Sequence, residues 1–126
     1  MPGSKRANRY GTLAERWAAE RFNLRREGAH TSWCDAVRPD GTPVEIKSCK
    51  MNREYPRFRV FQEYHETLAD RDGLYVFVCY KPKGRGITVL RSCILAADDL
   101  PASTWYGAGG HRDSEQVKLP PSRVFG

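Results

Sequence analysis

From Asn8 to Arg26 the apolar residues Tyr10, Leu13, Ala14, Trp17, Ala18 and Leu24 recur at steps of three and four. Arg9, Arg16, Glu20 and Arg25 occupy the wetter side. That period predicts an amphipathic helix, with Asn8 as its N-cap and Gly28 as its C-terminal stop. Glu15 falls at the border of the apolar stripe. A border glutamate is ordinarily solvated, but this one could lean over a sheet that follows directly. Residues 1–7 are expected to form a flexible basic arm. The pattern then changes to two β-rich runs, 32–38 and 43–51, around Arg38-Pro39-Asp40-Gly41-Thr42-Pro43. Asp-Gly between such runs signals a hairpin, with Gly41 free to take positive φ.

After the polar, arginine-rich loop 52–57, Phe58–Arg59 reads as a short extended piece. Residues 60–69 read as a second helix, with Phe61, Tyr64 and Leu68 on one face and Gln62, Glu63 and Glu66 on the other. Leu74-Tyr75-Val76-Phe77-Val78-Cys79 is almost continuously apolar, as a strand covered on both faces requires. A basic turn, Lys81–Gly86, leads into a return strand at 87–94, and 95–100 reads as a short helix. From Pro101 the chain turns to Gly, Pro and Ser, and 101–126 is expected as an irregular tail. Trp105, Tyr106, Val117, Leu119, Val124 and Phe125 would pin it to the core. Helix, hairpin, helix, hairpin predicts one α+β or α/β domain, a mixed sheet with helices against it.

Composition narrows the class. At 126 residues the chain suits one domain spanning 1–126, and a hydrophobic share of 40% suits a packed core. No apolar run approaches the ~20 residues of a membrane span, and no apolar stretch follows the N-terminal basic residues as in a secretory signal. A membrane partner is therefore not expected. The formal charge is +6, with 15 arginines among the 21 basic residues, which raises the odds of a nucleic-acid partner. Cys34, Cys49, Cys79 and Cys93 lie far apart without a C-x-x-C pair and read as reduced thiols. His30, His65 and His111 show no ligand spacing and read as surface or core histidines. A cytoplasmic setting follows as the expectation.

The candidate chemistry lies in the first hairpin. Glu45 and Lys47 share one face of a strand, and folding the preceding run back would bring Asp35 near both. Two converging carboxylates suit a hard cation such as Mg²⁺ or Mn²⁺. A lysine beside them can orient a water or stabilise charge on a phosphate. Cross-strand acid–base pairs on a solvated sheet are the ordinary alternative for the same spacing.

Tyr10-Gly11-Thr12-Leu13-Ala14-Glu15-Arg16, then Asp35, then Glu45-Ile46-Lys47-Ser48, resembles the PD-(D/E)xK nuclease superfamily, and within it the small archaeal Holliday-junction resolvases. The likeness covers residues 9–80 in motif and element order. It implies a restriction-endonuclease-like fold, a central mixed sheet flanked by helices in αβββαβ order. It also implies a Mg²⁺- or Mn²⁺-dependent DNA endonuclease working as a homodimer in a prokaryotic or viral cytoplasm. On that resemblance Asp35 and Glu45 bind the metal, helped by the backbone carbonyl of Ile46. Lys47 positions the attacking water, and Glu15 completes the acidic pocket directly or through water. Cys34 stands where the superfamily's name places a proline, and Gln62 is followed by Glu66 where relatives carry tyrosine. Lys50, Arg53, Arg57 and Arg59 would flank the pocket and contact DNA phosphates. Lys81, Lys83 and Arg85 form a second basic point or a solvated hairpin tip. Tyr55 and Phe58 either stack on bases or anchor their loop. A nucleic-acid-binding module without turnover is the alternative function.

Overall fold

The computed structural model describes residues 2–26, 34–101, 106–107 and 115–125. A helix α1 (Pro2–Arg21) leads into the short strands β1 (Arg25–Arg26) and β2 (Ala36–Val37), then β3 (Pro43–Lys50) and β4 (Phe58–Phe61). Helix α2 (Gln62–Asp70) connects to the long strands β5 (Leu74–Lys83) and β6 (Gly86–Ala96). A 3-10 turn (Ala97–Asp99), β7 (Tyr106–Gly107), β8 (Glu115–Leu119) and α3 (Pro121–Phe125) complete the chain. The main sheet has the order β1-β2-β3-β5-β6, and β4, β8 and β7 form a second sheet. β3 and β5 run parallel, joined through β4 and α2, while the other neighbours in the main sheet are antiparallel.

β5 explains the two-layered core. Val76, Val78 and Tyr80 point to one face, where they meet Val44, Ile46 and the alanines Ala14 and Ala18 of α1. Tyr75, Phe77 and Cys79 point to the other, against Phe58, Val60, Leu68, Val117 and Leu119. Each of those β5 residues is 5% exposed or less, so the strand is covered on both sides as its apolar run predicted. Alanines at the α1 contact let the helix lie close to the sheet. Since Val44 and Ile46 face α1, Glu45 and Lys47 face the opposite layer.

Several boundaries differ from expectation. α1 starts at Pro2 rather than Asn8, so residues 2–7 of the expected arm are helical, while Met1 lies outside the described residues. Proline suits a first helical turn, whose N–H would be unpaired anyway. The helix ends at Arg21 because Asn23 takes φ 55° and the Leu24 N–H donates to the Ala19 carbonyl at 2.8 Å. This left-handed cap does what had been expected of Gly28, which lies outside the described residues. α2 begins at Gln62, not Val60, because Phe58 and Val60 pair with Leu119 and Val117 of β8. The described parts of the expected irregular tail are thus two strands and a helix. Trp105 lies outside the described residues. All four cysteines are thiols outside any disulfide, and burial pushes the Cys79 thiol up to about 12.

α2 closes on the same motif, with Asp72 at φ 55° and the Gly73 N–H donating to the Leu68 carbonyl at 2.8 Å. A β-carbon at Gly73 would meet the Leu68 side chain and stand 2.9 Å from its backbone oxygen. Gly73→Ala is therefore expected to destabilise the domain by about 1–3 kcal/mol. Urea unfolding measures it, and an unchanged midpoint would mean that the turn has room to give.

Candidate active site

The site is built from the first hairpin outward. The Gly41 N–H donates to the Arg38 carbonyl, and the Arg38 N–H to the Thr42 carbonyl, both at 2.9 Å, with Gly41 at φ 91°. Asp40 Oδ1 accepts from the Thr42 N–H at 3.0 Å and from its hydroxyl at 2.7 Å, which holds the turn and keeps the Asp40 carboxyl below its ordinary value. The register that results sets Ala36 opposite Val44.

One residue earlier, the Asp35 N–H donates to the Val44 carbonyl at 2.9 Å, and Asp35 Oδ2 accepts the Ile46 N–H at 2.9 Å. The Asp35 side chain thereby continues the ladder where β2 stops, lying along the edge of β3. In a strand, the N–H and C=O of one residue point to the same edge, so the Ile46 carbonyl is directed to the side that holds Asp35. Lys47 Nζ lies 3.5 Å from Glu45 Oε2 on the face away from α1.

Glu45 is 7% exposed. Burial, reinforced by a hydrogen bond to the Asp35 carboxyl, pushes its pKa up to about 9 against the opposing pull of Lys47. Buried beside a second carboxyl, Glu45 favours its protonated form, and the Lys47 ammonium opposes this only in part. Glu15 approaches from the α1 side. Its half-buried carboxyl is raised by burial first and by Asp35 second, while Arg26, at 3.0 Å, offsets both. Asp35 therefore sits between an acid on each face of the sheet.

Among the described residues, no three His, Cys, Asp or Glu side chains converge as in an all-protein metal cage. Two carboxylates and a carbonyl nonetheless fit the habit of Mg²⁺, which keeps several waters and takes only one or two protein carboxylates.

Behind Glu45 stands a pair that the sequence had not singled out. Tyr75 is opposite Glu45 on β5, and burial, then the Glu45 charge, pushes its phenol up. Its hydroxyl is 2.8 Å from His65 Nδ1, with the two rings stacked. Burial lowers the His65 pKa, which favours the neutral ring. His65 is thus a packed histidine in contact with the back of the site.

The seven expected DNA-contacting cations divide. Arg53, Arg57 and Arg59 line a cleft of about 420 Å³ together with Lys47, Ser48, Tyr55 and Lys118. Lys50 does not. Its ammonium lies 5.7 Å from the centre of the Tyr10 ring on α1. The Tyr10 hydroxyl donates to the Gly84 carbonyl at 3.3 Å and Arg9 to the Arg85 carbonyl at 3.5 Å, so the Lys81–Arg85 turn also leans on α1. Lys83 and Lys81 are exposed there. Lys118 escapes the sequence patterns because β8 falls within the expected irregular tail, and Arg26 because it ends the expected helix.

A mixed sheet with a parallel β3–β5 pair, helices against it and an Asp, Glu-x-Lys set gathered on its middle strand β3 defines the restriction-endonuclease-like architecture. The family model for the PD-(D/E)XK nuclease superfamily domain matches residues 1–126, and the chain belongs to that superfamily. No curated protein matches the chain. Nucleases of this superfamily generally use divalent metals, and a nuclease domain implies a nucleic-acid substrate. No helix among the described residues is long and apolar enough to cross a membrane.

Proposed function

We propose that this nuclease is a metal-dependent DNA endonuclease in which Asp35, Glu45 and the Ile46 carbonyl hold Mg²⁺ or Mn²⁺. The observation that carries the reading is the Asp35–Ile46 hydrogen bond. It sets one carboxylate against the buried Glu45, whose other neighbour is Lys47. When bound, the ion neutralises phosphate charge and makes a coordinated water acidic. Lys47 orients the attacking water and faces the charge that grows on the phosphate. Glu15, tied to Arg26, adds a second acid near Asp35 from the other side of the sheet. Burial of Glu45 keeps bulk water from competing for its oxygens.

Structure-selective cutting of the Holliday-junction-resolvase kind, by a homodimer, is the finer form of this proposal. One such site cuts one strand, so a junction requires two. Labelled four-way junctions, nicked and intact duplexes and single strands, incubated with Mg²⁺ or Mn²⁺, test it. Cleavage of at least one substrate that stops in EDTA is expected. If the pure protein binds these DNAs but cuts none with either metal, the alternative of a binding module without turnover replaces it.

A further inference from the structure

The cleft beside Lys47 has properties that cleavage alone does not explain. Arg59 on β4 stands directly opposite Lys118 on β8, and both are exposed. Like charges so paired across antiparallel strands destabilise a sheet. Arg53 and Arg57 add positive charge, and no Asp or Glu lines the cleft. Among the described residues, ion pairs form at Arg26–Glu15 and Lys47–Glu45, so these four cations have no carboxylate partner. Such an arrangement is complementary to more than one anionic group.

Tyr55, at the rim, is 71% exposed, so it is not the anchor of its loop. The anchors are elsewhere. The Met51 N–H donates to the Tyr80 carbonyl at 2.8 Å, and Phe58 is 1% exposed with its ring 4.8 Å from that of Phe77. An aromatic face is thus held out in water by a loop fixed at both ends, next to unneutralised cations. A ligand with a flat apolar face joined to phosphates complements both features. Nucleotides in a duplex hide their faces in the stack, so only an unpaired base can lie on Tyr55. The volume of about 420 Å³ falls within the ~300–1,000 Å³ of clefts that enclose a small ligand.

We propose that this cleft binds an unpaired nucleotide of the DNA strand next to Lys47, with its base on Tyr55 and its phosphates on Arg53, Arg57, Arg59 and Lys118. The proposal rests on the nuclease reading and specifies its substrate as DNA with a single-stranded segment. Lys118 brings the C-terminal strand, which the sequence motifs do not cover, into substrate recognition.

Fluorescence anisotropy of a labelled oligothymidylate and of a duplex of equal length, both in EDTA, tests it on the intact chain. Tyr55→Ala is expected to weaken single-strand binding roughly 5- to 100-fold and to leave duplex binding unchanged, while Tyr55→Trp retains it. Lys118→Ala should flatten the salt dependence by about one unit of slope. Equal losses on both DNAs, or no loss on either, would overturn the assignment. Because no metal is present, a protein that binds in this way yet never cuts would refute only the nuclease reading.

Discussion

Lys47→Ala is expected to lower the single-turnover cleavage rate by about 10²–10⁴-fold, the range for losing a group that manages a proton or charge in the transition state. DNA binding should fall only by the share of one phosphate-facing cation. The reason lies in position. Lys47 Nζ is 3.5 Å from Glu45 Oε2 and at the same time lines the cleft where Arg53, Arg57 and Arg59 gather. It is the residue common to the carboxylate pair and the cationic cleft. Lys47→Arg should not restore the rate, because a planar guanidinium cannot replace a compact ammonium at that distance. Rates with enzyme in excess over substrate separate the chemical step from binding. An unaltered rate in Lys47→Ala would remove Lys47 from the mechanism.

Stability in EDTA should fall as pH rises. The folded-state pKa of Glu45, about 9, lies above the ordinary glutamate value of 4.5. Between those limits the folded chain binds more protons than the unfolded one, so the slope of unfolding free energy against pH is negative. The stabilising contribution is complete below pH 4.5 and is lost as pH climbs toward about 9. Glu45→Gln holds the hydrogen-bonding shape without the charge. It is therefore expected to raise the midpoint of thermal unfolding at alkaline pH, with each ~1 kcal/mol worth about 4 °C in a domain of this size, while abolishing cleavage. Mn²⁺ should stabilise the wild type more at alkaline than at acidic pH, since the ion takes the place of the proton. A wild-type midpoint that rises with pH in EDTA would contradict a buried, protonated Glu45.

Local signals carried the centre of the molecule. The continuous apolar run at 74–79 identified a doubly covered strand because β5 buries alternate residues in different layers. Asp40-Gly41 identified the turn, since Gly41 does take positive φ and Asp40 does bond Thr42. With that hairpin closed, Asp35, Glu45 and Lys47 could hardly avoid one another. What the sequence left hidden depends on partners distant in the chain. Phe58–Arg59 reads correctly as extended, but Val60 reads as the start of a helix because its strand partner β8 lies far along the chain, and Lys118 becomes visible only with that strand. Tyr75 reached Glu45 through the parallel register of β3 and β5, which no local pattern encodes. Asn23 ended α1 because an asparagine tolerates the left-handed conformation nearly as well as glycine. Lys50 was assigned by its nearness in sequence to the cleft, yet it lies against Tyr10 on the α1 side of the sheet.

Titration of Mn²⁺ into metal-free wild-type protein and into Asp35→Asn, at mildly alkaline pH and without DNA, tests the central claim most directly. Asparagine can still accept the Ile46 N–H at this position, so the hairpin edge is retained while one negative charge is removed. The wild type is expected to bind Mn²⁺ with release of a proton, and Asp35→Asn to lose more than about 100-fold in affinity, beyond the loss seen when a group that only orients a ligand is removed. Equal Mn²⁺ binding by the two proteins would contradict a metal site built on Asp35 and Glu45.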